Sequence, residues 1–152
     1  PYMLKTLNEI TDEKKLNLVK VSYLYAVTLL VTAFFLILLV PFIFKFFVDI
    51  RYHDGKDYVY IIALSYVFLG YYKIFTNYLF FLKKTKVIGY ITIFCATLNI
   101  ILNYYLINIV GIVGAAQATL ITFFIFFVLV AFIAHKNYPM PWLKGLKQIL
   151  RI

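Results

Sequence analysis

Asn108-Ile-Val-Gly-Ile-Val-Gly114 joins two apolar segments, Val87–Val110 and Gly111–Ala134, each 24 residues long and free of charged side chains. About 20 apolar residues suffice for a helix to cross a bilayer. A soluble helix of this length would carry a charged face, and neither segment has one. Two glycines and an asparagine at the joint let the chain reverse with almost no loop. The pair reads as a transmembrane hairpin, and the rest of the chain is read in that solvent.

Composition agrees. Of 152 residues, 64% are hydrophobic and only 14% are charged, far from the balance of a soluble globular domain. Fifteen Lys and Arg against six Asp and Glu give a net charge of +9. Basic loops at one membrane face account for that excess, and no basic face or stacking platform outside the apolar segments points to nucleic acid. The single cysteine, Cys95, excludes an internal disulfide and any zinc site built on cysteine pairs. It reads as a small packing residue. With Pro1 in first position and no signal-peptide pattern, the sequence reads as a piece of a longer protein.

Outward from the hairpin, the spacing predicts three parts: a charged N-terminal segment over 1–18, four spans within 19–134, and a basic tail over 135–152. Thr11-Asp-Glu-Lys14 resembles a helix start, with a capping hydroxyl and acids in the first turn. The spans are predicted at about 21–44, 58–82, 87–110 and 111–134. Pro41 is expected to kink or end the first, because it offers no N–H to the preceding turn. Lys45–Asp57 is a mixed-charge loop turning at Asp54-Gly55, and Lys83-Lys-Thr-Lys86 is a tight basic turn. In the tail, Trp142, Leu143, Leu146, Ile149, Leu150 and Ile152 alternate with Lys144, Lys147, Gln148 and Arg151. That pattern fits an amphipathic helix at the interface or leading into a further span. Near the span ends, eleven basic residues lie on one side and three on the other, which predicts both termini in the cytoplasm.

An ion within a span is costly and hence a functional candidate. Lys73 is that ion, and Gly70 and Asn77 extend its face at i−3 and i+4. One reading makes its amine the contact for an anionic substrate group in a water-filled cavity. The other lets it snorkel to an interface beside Tyr71 and Tyr72. Its distance from Lys83, about 15 Å at helical rise, places it near the middle of the membrane. Asn99 and Asn103, with Thr92, Cys95 and Ala96, form a polar stripe that suits interhelical hydrogen bonds or substrate hydroxyls. Gly111, Gly114 and Ala118 allow close helix approach, and Gln117 among them is expected to bond a neighbouring helix or to touch substrate.

None of the six carboxylates falls in mid-span, His53 and His135 lie at opposite ends, and there is no phosphate loop or nucleophile elbow. These features point away from an enzyme, a metal site and any cofactor.

Three stretches carry a resemblance: Leu69-Gly-Tyr-Tyr-Lys-Ile-Phe-Thr-Asn77 and its continuation to Lys86, Leu98–Leu120, and Tyr138-Pro-Met-Pro-Trp142. The most specific part is Asn-x3-Asn at Asn99 and Asn103 followed by Gly-x2-Gly-Ala-Ala at Gly111–Ala116. The chain resembles the bacterial polysaccharide biosynthesis flippases, the O-antigen and capsule repeat-unit translocases of the multidrug/oligosaccharidyl-lipid/polysaccharide exporter superfamily. That resemblance implies an all-α, polytopic bundle of four spans from the C-terminal lobe of a MATE-like two-lobe transporter in the bacterial inner membrane. It implies an undecaprenyl-pyrophosphate-linked oligosaccharide as substrate, with membrane lipids and the remaining lobe as partners. Lys73 would then be one of the cavity cations. The alternatives are a multidrug or small-metabolite exporter of the same superfamily, or a non-transporting four-helix membrane scaffold.

Overall fold

The computed structural model describes residues 11–149; residues 1–10 and 150–152 lie outside the description, and with them Leu150, Arg151 and Ile152 of the amphipathic tail. Among the described residues every regular element is helical: α1 (Asp12–Phe47), a 3-10 turn (Ile50–Gly55), α2 (Lys56–Phe81), α3 (Thr85–Val110), α4 (Val113–Asn137) and α5 (Trp142–Ile149). The first four α-helices are long and apolar enough to cross a membrane.

Local chemistry sets the ends. Thr11 Oγ1 accepts the Lys14 amide at 3.4 Å, and Asp12 and Glu13 occupy the positive first turn. The helix started there runs unbroken into the membrane. Pro41 does not end it, and α1 continues six residues further to Phe47. Pro41 removes one backbone donor, which a long apolar helix near its end tolerates better than the exposure of a whole unpaired turn. At the hairpin, Gly111 adopts φ +70°, ψ −151° and donates its amide to the Ile107 carbonyl at 2.9 Å. Gly114 then donates to the Gly111 carbonyl, and the reversal is complete.

Neighbouring helices in the chain alternate in direction, so α2 and α4 are parallel. They form the most extensive contact in the bundle, α3 lies along α4, and α1 lies along α2. The order across the bundle is therefore α1–α2–α4–α3. In lipid the hydrophobic effect does little to drive helices together, and packing carries the association. Aromatic rings supply it between α2 and α4. Tyr66 meets Phe123, Phe68 meets Phe124 edge-on at 5.1 Å between centroids, and Tyr72 lies over Phe126 at 4.2 Å. Such pairs contribute about 0.5–1.5 kcal/mol each beyond area.

The basic turn, the ends of α2 and α4 and the start of α1 gather at one end of the bundle. Lys84 Nζ donates to Asn137 Oδ1 there, tying the turn to the end of α4. Beyond Pro139-Met-Pro141 the chain folds back as α5 onto α1.

Candidate functional site

The α1–α2 seam opens into a groove of about 350 Å³ lined by Val21, Ser22, Tyr25, Lys73, Ile74 and Asn77. Helical spacing on α2 brings Lys73, Ile74 and Asn77 to one side. One turn earlier, Gly70 is buried against α1, where a Cβ would fall 2.3 Å from Leu29 Cδ1. Gly70 thus seats the Leu29 side chain of α1 against α2, next to the groove.

Lys73 is exposed, and among the described residues its ammonium has no ion pair and no hydrogen-bond partner. The described acids lie elsewhere, with Asp12 and Glu13 opening α1 and Asp49, Asp54 and Asp57 at the opposite end. Lys73 stands eight residues before the end of α2, about 12 Å at helical rise. The middle of this 26-residue helix falls between Phe68 and Leu69, so Lys73 lies nearer the middle of α2 than its basic end. Lys73 and half-buried Asn77 of α2 and Ser22 and Tyr25 of α1 line the same groove, among apolar Val21 and Ile74. Ser22, itself buried, donates to the Leu18 carbonyl at 2.9 Å. An unpaired ammonium facing hydrocarbon costs about 2.5–3.5 kcal/mol on insertion scales. The groove is thus suited to water and an oxyanion.

Asn99 and Asn103 are not part of this groove. Asn99 Nδ2 donates to Thr122 Oγ1 of α4 at 3.2 Å, and Asn103 Nδ2 donates back to Asn99 Oδ1 at 3.0 Å. With Thr92, Cys95, Ala96 and Thr119, Asn99 lines a second cavity of about 280 Å³ between α3 and α4, and Asn103 is not among its lining residues. Two helices separate the Asn pair from the seam that holds Lys73. Gln117 is half-buried on α4 and makes no side-chain hydrogen bond among the described residues. Gly114 is buried where a Cβ would lie 2.3 Å from the Leu106 carbonyl carbon, and Ala118 is fully buried.

A feature that spacing alone did not disclose lies on the other side of Ser22 and Ile74. Tyr23, Tyr71, Phe75, Phe127 and Trp142 wall a cavity of about 380 Å³ whose rim carries His135. Trp142 is set edge-on to Tyr23 at 5.9 Å, and Tyr138 stacks on Tyr78 at 6.0 Å. Among the described residues, both tyrosines of this stack bury their hydroxyls without a hydrogen-bond partner.

The MatE family pattern matches residues 13–105, from the first turn of α1 into α3. The chain belongs to the MatE family. MatE proteins are membrane exporters of the multidrug/oligosaccharidyl-lipid/polysaccharide superfamily, transporters rather than enzymes. Lys73, Asn77, Asn99 and Asn103 lie inside the MatE match, while Gln117, His135 and Trp142 lie beyond it. The comparisons with curated proteins and with solved structures return no match.

Proposed function

We propose that this MatE chain is part of a flippase that moves lipid-linked oligosaccharide repeat units across the bacterial inner membrane. The observation that supports the reading is the unpaired ammonium of Lys73 in a groove whose other polar groups are an amide and two hydroxyls. Ammonium and hydroxyl donors without a carboxylate suit the pyrophosphate of an undecaprenyl carrier. A multidrug or cation-coupled exporter is less well served, because none of the described residues lining the groove is an acid.

In this reading Lys73 holds the anionic head while the lobe carrying α1–α4 rocks against its counterpart about a shared site. The basic end faces the cytoplasm, following its excess of lysine. Asn99 and Asn103 serve α3–α4 packing more than substrate, since their hydrogen bonds are made within the bundle.

The test is surface glycan in cells that depend on the full transporter. Lys73→Ala is expected to lower it at least tenfold at unchanged protein level, with partial recovery in Lys73→Arg. Unchanged glycan in Lys73→Ala would remove the basis of the proposal.

A further inference from the structure

The aromatic cavity is separate from the Lys73 groove, with Ser22 and Ile74 between the two. Four elements build it: α1 gives Ser22, Tyr23 and Ala26, α2 gives Tyr71, Ile74 and Phe75, α4 gives Phe127, Ala131 and His135, and α5 closes it with Trp142. At about 380 Å³ it falls in the range of small-ligand sites, and its wall is almost wholly apolar.

Charge decides among apolar occupants. An aromatic box alone would suit an organic cation through the ring faces. Here the surroundings oppose one. Exposed His135 stands at the rim with exposed Lys136 next to it in the chain, and Lys83, Lys84, Lys86, Lys144 and Lys147 lie at the same end of the bundle. The nearest acids in α1, Asp12 and Glu13, precede Ser22 by nine or ten residues, about 14 Å at helical rise. Asp12 is moreover within 3.5 Å of the Lys15 ammonium. An apolar chamber with a cationic collar matches an amphiphile with an apolar chain and an anionic head. In a bilayer the abundant molecule of that chemistry is an anionic phospholipid, attracted to juxtamembrane lysines by about 1 kcal/mol per basic residue.

We propose that this cavity is a binding site for one acyl chain of an anionic phospholipid, whose headgroup rests on His135, Lys136 and the neighbouring lysines. The lipid then fills the junction of α1, α2, α4 and α5 and joins α5 to the bundle. This site is independent of the flippase reading and stands if that reading fails.

Trp142 is the chain's one tryptophan and part of the cavity wall, which makes it a native reporter. The full chain is reconstituted in phosphatidylcholine vesicles containing rising fractions of acyl-brominated phosphatidylglycerol or acyl-brominated phosphatidylcholine, and Trp142 quenching is followed. Brominated phosphatidylglycerol is expected to reach half-maximal quenching at a mole fraction at least threefold lower than brominated phosphatidylcholine. Ala131→Phe, which fills the cavity, should remove that difference. Ala26→Leu replaces it if Ala131→Phe loses its helical circular dichroism. The pair His135→Gln, Lys136→Gln should reduce the preference while leaving quenching by phosphatidylcholine unchanged. Coincident curves for the two lipids would overturn the proposal. So would a phosphatidylglycerol preference that survives filling of the cavity, since the selectivity would then belong to the outer surface.

Discussion

Gly145 of α5 lies so close to Val19 of α1 that a Cβ at position 145 would fall 2.4 Å from Val19 Cγ1. Val19 is fully buried at this contact, and Tyr23, one turn further on, donates its hydroxyl to the Trp142 carbonyl at 3.4 Å. A single missing side chain thus lets a short, basic helix sit flush on the first span. Replacing Gly145 by Leu is expected to push α5 away at a cost of about 1–3 kcal/mol, typical of overpacking. The measurement is Trp142 emission, which should move to longer wavelength as the indole leaves its seat between Tyr23 and Phe75. Unaltered emission would mean that α5 is not held by this contact.

Three glycines are expected to answer the same Gly→Ala change differently. At Gly114 the new methyl would meet the Leu106–Ile107 backbone, so the α3–α4 hairpin must part, costing about 1–3 kcal/mol. At Gly111 there is space, but φ +70° with ψ −151° is a conformation essentially confined to glycine, and strain of about 1–3 kcal/mol is expected. Gly89 is an open position inside α3, where alanine should stabilise by up to about 1 kcal/mol. Thermal denaturation in detergent ranks the three variants. Equal effects would contradict the account of the hairpin.

The two asparagines of α3 should also differ. Asn99 reaches Thr122 on α4, whereas among the described residues Asn103 bonds to Asn99 within its own helix. A double-mutant cycle between Asn99→Ala and Thr122→Val is expected to give a coupling of about 0.6 kcal/mol, up to about 1.7. Coupling between Asn103 and Thr122 should be smaller. A larger value for Asn103 would show that the pair is wrongly assigned.

The loop at the other end carries a pH-dependent cap. Arg51 donates side-chain and backbone hydrogen bonds to Asp49, and these hold its carboxyl below the ordinary value of 3.8. A lowered carboxyl contributes stability that is present above the unfolded value and is lost as pH falls through the folded one. Amide exchange at Arg51 should therefore accelerate below about pH 4, beyond the intrinsic pH trend. Asp49→Asn should remove that dependence. The same acceleration in the Asn variant would contradict the assignment.

Much of the fold was legible in the sequence because bilayer thickness turns a run of apolar residues into a length measurement. The hairpin at Gly111, the helix start at Thr11 and the amphipathic helix at Trp142 each have a local chemical cause that spacing reveals. Pro41 misled as an end signal, since the loss of one donor does not stop a helix whose continuation keeps every later amide paired. The polar residues were found one by one, but their partners were not. That α2 neighbours α4 rather than α3 is a tertiary choice made by rings such as Tyr72 and Phe126, and it sends Lys73 and Asn99 into different seams. The aromatic cavity escaped for the same reason, since its wall draws on four helices far apart in the chain.

Access of water to position 73 tests the central claim most directly. In the full protein, with Cys95 replaced by Ala, Lys73→Cys is exposed to a membrane-impermeant, charged thiol reagent and to a lipid-permeable maleimide. The proposed function makes the α1–α2 groove an aqueous vestibule and so predicts that both reagents label it. Labelling by the maleimide alone would place that side chain in hydrocarbon and contradict a role for Lys73 in holding an anionic head.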